Sequence, residues 1–261
     1  MSQIALQMYT LRRHMQDAAQ LRETLRRVAE IGYRNVQISV PAFTTVEALQ
    51  AELEKNGLAA DSAFAPSMKI GGMVEEIVHH ARVLGTDFVR TDSIPKEWAD
   101  SEQGYRDYAG VLNEAGRALA AHGLKLYYHF HAFEWINFES GLRGIDILLR
   151  ETDPGTVGFQ PDVFWLTAAG TEPSSSLLLF RGRARYMHVK DYAVTRRTEQ
   201  LESVPRAFAP VGRGNLNWAG ILAAARSAGI ERFVVEQDRC DGDEFDAVRV
   251  SLENLNRLGV E

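Results

Sequence analysis

The chain has 261 residues, 45% of them hydrophobic and 25% charged, a composition typical of a globular protein with a sizeable core. Its formal net charge of −6 argues against nucleic acid as a partner, because the phosphate backbone attracts basic surfaces. The one cysteine, Cys240, excludes an internal disulfide and fits a reducing compartment. The N-terminal stretch lacks the basic start and apolar run of a signal peptide, and no segment reaches the length of a membrane span. We therefore expect a cytoplasmic protein with no membrane partner.

Short β-type runs alternate with amphipathic helical segments along the chain. Several of the helical segments end at a glycine, and the β-type runs end in polar residues. In chain order, strands are predicted at Ile4–Thr10, Asn35–Val40, Ala59–Ala65, Asp87–Asp92, from Leu124 onward, and at Val157–Val163, Ala184–Asp191 and Arg232–Asp238. The clearest helices are predicted at about Leu21–Ile31, Val46–Asn56, Val74–Leu84, Gln103–His122 and Asp243–Leu258.

Eight strands, each followed by a helical segment, predict an α/β fold of the (β/α)8 TIM barrel type, with residues 1–261 as a single domain. A doubly wound sheet is the alternative, but its glycine-rich first turn is missing from the segment QMYTLRRH. The long loop Thr195–Gly214 is expected to form a lid or a wall of an active site.

The fifth strand carries an unusual density of chemistry in the stretch LKLYYHFHAFE, which runs from Leu124 to Glu134. His129 and His131 lie two residues apart, and such residues share one face of an extended chain. Glu134 follows about one turn further along the loop. The sequence therefore predicts three metal- or proton-handling groups at the end of one strand.

Polar side chains also end the next three predicted strands. The carboxyl ends of barrel strands form the active-site face, so these residues are expected to meet at one mouth: Asp162, then His188 with Lys190 and Asp191, then Glu236 with Asp238. Mixed imidazole and carboxylate ligands without a thiolate suit Mn²⁺, Co²⁺, Fe²⁺, Mg²⁺ or Zn²⁺. Such an ion polarises a carbonyl and stabilises an enediolate when an adjacent proton is removed.

Each of these residues also has a purely structural interpretation. A single histidine at a strand end is more often a structural residue than a ligand, and Asp162 could simply cap the following helix. Glu236 is different because it lies inside the apolar run FVVEQ. A buried carboxylate without a partner costs several kcal/mol, so Glu236 requires a cation or a proton.

Other candidates concern substrate binding. The segment GRGNLNW (Gly212–Trp218) resembles a phosphate-binding loop in which backbone N–H groups and Arg213 bind an anion, although a plain turn is the simpler interpretation. Trp165 is either the floor of a sugar site or part of the core. Gln7 and Tyr9 share one face of the first strand and either contact the substrate or fill the barrel.

Six segments in this order resemble the sugar phosphate isomerase/epimerase family of xylose isomerase-like TIM barrels: QMYTLR, YHFHAFEW, DVFWLTAAG, YMHVKD, PVGRGNLNW and FVVEQD. The resemblance covers nearly the whole chain. It implies one divalent metal ion, with Mn²⁺ expected first and Co²⁺, Mg²⁺, Fe²⁺ or Zn²⁺ as alternatives. The family holds that ion with Glu, Asp, His and Glu on the last four strands.

Asp162, His188 and Glu236 match the last three ligands of that set, but the first ligand departs from it. The family pattern Glu-Asn-His is replaced by His129-Phe130-His131, so either His129 substitutes for the carboxylate or Glu134 folds back to complete the set. We favour His129. The chain also has Gln37 where relatives often carry Glu.

The resemblance implies a metal-dependent isomerase or epimerase that removes a proton next to the carbonyl of a sugar or keto-polyol, through an enediolate. A lyase that eliminates water, or a non-catalytic sugar-binding barrel, is the alternative. The predicted catalytic residues are Glu236, Glu134, His131 and Lys190, and the predicted substrate-binding residues are Gln7, Tyr9, Trp165 and Arg213. An apurinic-site endonuclease, a remote relative, is disfavoured by the acidic net charge. Exposed barrel faces are compatible with a homo-oligomer.

Overall fold

A computed structural model describes residues 3–195 and 206–261 of the chain. The described strands are β1 (Ile4–Gln7), β2 (Asn35–Gln37), β3 (Ala59–Ala65), β4 (Phe88–Thr91), β5 (Lys125–His129), β6 (Val157–Gln160), β7 (Tyr186–Val189), β8 (Asp191–Val194), β9 (Arg206–Ala209) and β10 (Arg232–Val235).

Eight of these strands form one parallel sheet in the order β6-β5-β4-β3-β2-β1-β10-β7. Its two outer strands approach each other through parallel bridges that join Phe159 to Ala184 and Asp162 to His188. The sheet is therefore a nearly closed barrel, and the prediction of a (β/α)8 TIM barrel is confirmed. The strands β8 and β9 form a separate antiparallel hairpin.

Helices cover the outside of the barrel and pack their apolar faces on it. In α1, for example, the side chain of Asp17 accepts hydrogen bonds from two backbone N–H groups, and Gly32 ends the helix in the left-handed conformation at φ 119°. The described α-helices are α1 (Ala18–Ile31), α2 (Val46–Lys55), α3 (Val74–Leu84), α4 (Glu102–Ala120), α5 (Gly144–Glu151), α6 (Val163–Ala168), α7 (Pro173–Leu177), α8 (Trp218–Ala228) and α9 (Glu244–Arg257).

The described part of the chain contains no helix that combines the length and the apolar character needed to cross a bilayer.

The barrel interior is layered, because alternate residues of each strand point inward. An apolar layer lies nearer the amino ends of the strands and contains Ala5, Phe88, Tyr127, Tyr186 and Val234. Two residues further along each strand, the inward side chains are polar: Gln7, Arg90, His129, His188 and Glu236. All five of these polar residues line one cavity. The strand period thus places a polar layer directly above an apolar one.

Several strands end earlier than predicted. The predicted first strand to Thr10 stops at Gln7, and the residues Met8–His14 form a 3₁₀ helix. The predicted sixth strand to Val163 stops at Gln160, because Asp162 caps α6 and turns the chain. Tyr9 consequently lies on the cavity wall, and Asp162 faces His188.

The predicted loop Thr195–Gly214 also differs from the structure. Its residues Arg206–Ala209 form β9, which pairs with Asp191–Val194. Ala207 and Phe208 line the cavity, as expected for a wall. The residues 196–205 of that loop lie outside the described part of the chain.

Candidate active site

A cavity of about 1090 Å³ opens at the carboxyl ends of the barrel strands. Its wall combines the polar interior layer with aromatic side chains, among them Tyr9, Phe64, Phe164, Trp165 and Phe208. A volume of this size accommodates a small organic molecule such as a monosaccharide derivative. The barrel mouth is therefore the candidate site.

Four buried residues converge in this region: His129, Asp162, His188 and Glu236. Each offers one ligand atom, and these four atoms all lie within 4.8 Å of one another. Asp162 Oδ2, His188 Nδ1 and Glu236 Oε2 lack a hydrogen bond of normal geometry. These atoms lie at ion-pair distances from one another and from Lys190, and their convergence marks a position suited to a ligand.

The two imidazoles are oriented by hydrogen bonds on their other ring nitrogens. His188 Nε2 lies 3.1 Å from Gln37 Oε1, and its Nδ1 faces Glu236 Oε2 at 2.9 Å. His129 Nδ1 lies 3.3 Å from the carbonyl oxygen of Gln160. A ring nitrogen that donates to such an oxygen leaves the other nitrogen free to act as a metal ligand.

Asp162 has two roles that the sequence presented as alternatives. Its Oδ1 accepts hydrogen bonds from the backbone N–H groups of Phe164 at 2.9 Å and Trp165 at 3.2 Å, which caps α6. Its Oδ2 lies 3.6 Å from His188 Nδ1. The same carboxylate thus begins a helix and faces the group of four residues.

Lys190 supplies the cation next to this group. Its Nζ lies 2.9 Å from Glu236 Oε2 and 3.1 Å from both Asp162 Oδ2 and Asp238 Oδ2. Burial disfavours the charged ammonium, but the carboxylates outweigh burial and raise the pKa of Lys190. Burial also acts to raise the pKa of Glu236, yet Lys190 and His188 hold that pKa well below its ordinary value. Both groups are therefore charged.

The histidines differ in their protonation. Burial lowers the pKa of His129 well below its ordinary value, and it lowers that of His131 to about 4. Burial acts in the same direction on His188, but the carboxylates of Glu236 and Asp162 raise its pKa above the ordinary value. His129 and His131 are consequently neutral at neutral pH, with a lone pair available.

The residues of this group fit a divalent metal ion. Two imidazoles and two carboxylates are the mixed set that Mn²⁺, Co²⁺, Fe²⁺ and Zn²⁺ accept. Gln37 and the backbone of Gln160 provide the outer hydrogen bonds that metal-binding histidines normally make. Lys190 also forms an ion pair with Asp238, which lies outside the group.

Glu134 lies apart from the group. It is fully buried and accepts hydrogen bonds from the Tyr128 hydroxyl and, at 2.9 Å, from the backbone N–H of His131. Burial raises its pKa to about 7 against the opposing effect of these hydrogen bonds. His131 lines the cavity and Glu134 does not. Of the two candidates for the first ligand, the structure thus places His129 in the group.

Three of the four predicted substrate-binding residues, Gln7, Tyr9 and Trp165, line the cavity. The fourth, Arg213, is exposed and is not among the lining residues. The N–H groups of Gly212 and Gly214 donate to Asp191 Oδ2 at 2.9 and 3.0 Å. The glycine-rich loop therefore forms a turn around a carboxylate of its own chain.

The sequence analysis did not single out Arg90. This residue of β4 is 7% exposed and lines the cavity in the same interior layer as His129. A charged residue inside the buried strand FVRT is the signal that could have identified it, by the reasoning applied to Glu236.

Comparisons with known proteins agree with this architecture. The sequence profile of the xylose isomerase-like TIM barrels matches residues 25–258. A sugar phosphate isomerase/epimerase from Parabacteroides distasonis has a similar structure, with a TM-score of 0.79 and 20% identity over 97% of this chain and 93% of that chain. No curated protein sequence matched the chain.

Two further solved structures have the same fold. A probable 3-DHS dehydratase involved in petrobactin synthesis, from Bacillus anthracis, has a TM-score of 0.74 and 16% identity over 97% of this chain and 98% of that chain. A xylose isomerase-like TIM barrel protein from Mycobacterium smegmatis, in complex with magnesium, has a TM-score of 0.71 and 18% identity over 98% and 96%.

Proposed function

We propose that this chain, which belongs to the xylose isomerase-like TIM barrel family, is a divalent-metal-dependent isomerase or epimerase of a sugar or keto-polyol. The observation that carries the proposal is the convergence of four buried ligand-bearing residues at the barrel mouth, where this fold places its active sites. Elimination of water is the alternative outcome of the same proton removal. The dehydratase of similar structure supports this alternative.

His129, Asp162, His188 and Glu236 would hold the ion. A bound divalent ion supplies a Lewis acid that polarises the carbonyl of the substrate and makes the adjacent proton more acidic. Gln37 fixes the orientation of His188, and the Gln160 carbonyl oxygen fixes that of His129.

Proton transfer belongs to residues of the cavity wall. His131 is neutral because burial lowers its pKa to about 4, and its Nδ1 has no hydrogen-bond partner, so it can accept a proton. Glu134 accepts a hydrogen bond from the backbone N–H of His131 and thereby positions the imidazole. The ammonium of Lys190 stabilises negative charge that develops on the substrate oxygens. Glu236 faces the same space and is the second proton-handling group.

A second candidate, a sugar-binding barrel without a metal, is favoured by one observation. The Lys190 ammonium contacts both Asp162 and Glu236, so it already compensates the two carboxylates that an ion would neutralise. In that case Lys190 would replace the ion, and the cavity would bind a carbohydrate without converting it.

Metal content separates the two candidates. Purified untagged protein, reconstituted with Mn²⁺, is expected to retain about one equivalent of metal by mass spectrometry, because the ligand atoms are already in place. His129→Ala and His188→Ala should lose the metal, whereas Glu134→Ala should keep it. Turnover of keto-sugars should follow the metal. Wild-type protein that holds no metal after reconstitution would leave the binding barrel as the better explanation.

A further inference from the structure

Arg90 is a buried cation that forms no close ion pair with any described residue, and the carboxylates of Glu236 and Asp92 act on its charge only from a longer distance. Its side chain belongs to β4, is 7% exposed and lines the cavity. No carboxylate oxygen of residues 3–195 and 206–261 lies within 4.0 Å of its guanidinium, and no described residue hydrogen-bonds to it. The guanidinium lies over the ring of Phe64, 4.8 Å from Cζ to the ring centroid.

A partly buried arginine of the barrel, Arg183, shows the ordinary arrangement. The guanidinium of Arg183 donates to the carbonyl oxygens of Val157 and Leu149 and to the hydroxyl of Thr152, at 2.8 to 3.3 Å. Its donors are thus occupied by the fold. The donors of Arg90 are not occupied, although Arg90 is the more buried of the two. Stability alone does not account for Arg90, because a buried guanidinium whose Nε lacks a hydrogen-bond acceptor is unfavourable.

The position of Arg90 connects it with the candidate active site. The apolar interior layer contains Phe88 and Tyr127, and the residues two positions further along these strands are Arg90 and His129. Arg90 therefore lies in the same layer as His129 and opens into the same space. Its nearest acidic neighbour in sequence, Asp92, accepts a hydrogen bond from the Ser67 N–H at 3.4 Å and acts on the Arg90 charge without forming an ion pair with it.

We infer that Arg90 binds an oxyanion of the substrate, a carboxylate or a phosphate monoester, inside the cavity. The planar guanidinium donates two parallel hydrogen bonds to either group. The substrate is then an acidic sugar derivative and not a neutral sugar. This inference deepens the proposed function and rests on it for the reaction, but anion binding itself requires no metal.

Binding measurements on three six-carbon ketoses test the inference. D-fructose is neutral, D-fructose 6-phosphate carries a phosphate, and 5-keto-D-gluconate carries a carboxylate. By calorimetry with the Mn²⁺-reconstituted protein, at least one acidic compound should bind at least about tenfold more tightly than fructose, the effect of one or two charge-assisted hydrogen bonds. The acid that binds more tightly identifies the anion.

Arg90→Gln should abolish this preference, and Arg90→Lys should keep part of it. Arg239→Gln is the matched control, because Arg239 is an exposed residue at the rim of the same cavity; it removes the same charge and should keep the preference. Equal binding of all three ketoses by the wild type would overturn the inference. So would a preference that survives in Arg90→Gln. If Arg90→Gln does not fold, the wild-type comparison and Arg90→Lys still decide.

Metal content measured on the same samples separates this inference from the proposed function. A preference for acids that depends on Arg90 in protein without metal would leave the anion site standing and remove the metal-dependent enzyme. If wild type and Arg90→Gln both bind metal and neither prefers acids, the metal-dependent enzyme would stand and the anion site would be removed.

Discussion

At the scale of single residues, the two oxygens of Asp162 can be tested separately. Asp162→Asn keeps an oxygen for the Phe164 and Trp165 N–H groups but removes the charge that faces His188. We expect this variant to lose the metal and the buried ion pair with Lys190, while the helix cap is kept. Asp162→Ala should lose the metal and in addition about 1 kcal/mol of cap stabilisation. Metal analysis and urea unfolding of both variants test this; equal stabilities would show that the cap contributes nothing.

Gln37 is expected to act on the metal through His188. Its Oε1 is 3.1 Å from His188 Nε2, so Gln37→Leu removes the group that fixes the ring and its tautomer. Loss of such an outer hydrogen bond weakens metal binding by about 10- to 100-fold. Competition with a chelator measures the affinity. An unchanged affinity would mean that the position of His188 on β7 suffices to orient it.

At the scale of elements, the loop Gly212–Trp218 depends on Asp191. The carboxylate accepts hydrogen bonds from the N–H groups of Gly212 and Gly214 and, at 2.7 Å, from Trp218 Nε1. Asp191→Ala leaves several donors without an acceptor, at about 1 to 3 kcal/mol each. We expect a loss of about 3 kcal/mol or more in the free energy of unfolding.

The control for that measurement is Arg213→Gln, which should change stability by less than about 0.5 kcal/mol because Arg213 is exposed. If Arg213→Gln instead weakens the binding of a sugar phosphate, the original prediction for this residue holds and the loop reaches the substrate. The two variants thus separate a structural loop from a binding loop.

The elements also show what sequence can and cannot predict. Strand and helix periodicity predicts the barrel, and the barrel brings His129, Asp162, His188 and Glu236 to one mouth. The position of Glu134 could not be predicted, because it depends on the short 3₁₀ helix Phe133–Trp135 and on the Tyr128 hydroxyl. Likewise, local sequence does not reveal that the Asp191 carboxylate accepts hydrogen bonds from the glycine-rich loop, 21 residues away.

At the scale of the whole molecule, Asp61 links stability to pH. Burial raises its pKa to about 6 from an ordinary 3.8, against the effect of Arg232, whose Nε lies 3.2 Å from the carboxylate. The folded state therefore binds this proton more tightly than the unfolded state. The resulting stabilisation is present below about pH 4 and is lost as the pH rises through about 6.

Asp61→Asn removes this titration. The free energy of unfolding of the wild type, relative to Asp61→Asn, should decrease by up to about 3 kcal/mol between pH 4 and pH 7. Urea unfolding of both proteins across that range measures the difference, and titrations shared by the two proteins cancel. A constant difference would contradict the assignment.

That residues 1–261 form a single domain stays a prediction. We expect one cooperative unfolding transition, seen at the same denaturant concentration by fluorescence and by circular dichroism. Two separate transitions would instead show that the chain contains more than one domain. The unfolding curves recorded for the Asp61 variants provide this measurement as well.

The aromatic rings beneath the polar layer determine how a ligand can enter and leave the barrel. Phe88 lies with its ring centroid 4.0 Å from that of Tyr127 and 3.8 Å from that of Tyr186, which blocks the barrel axis from below. The barrel is thus closed at the amino ends of its strands, and a ligand that enters the cavity must leave through the same opening. A molecule that stays bound at this opening therefore excludes the next one.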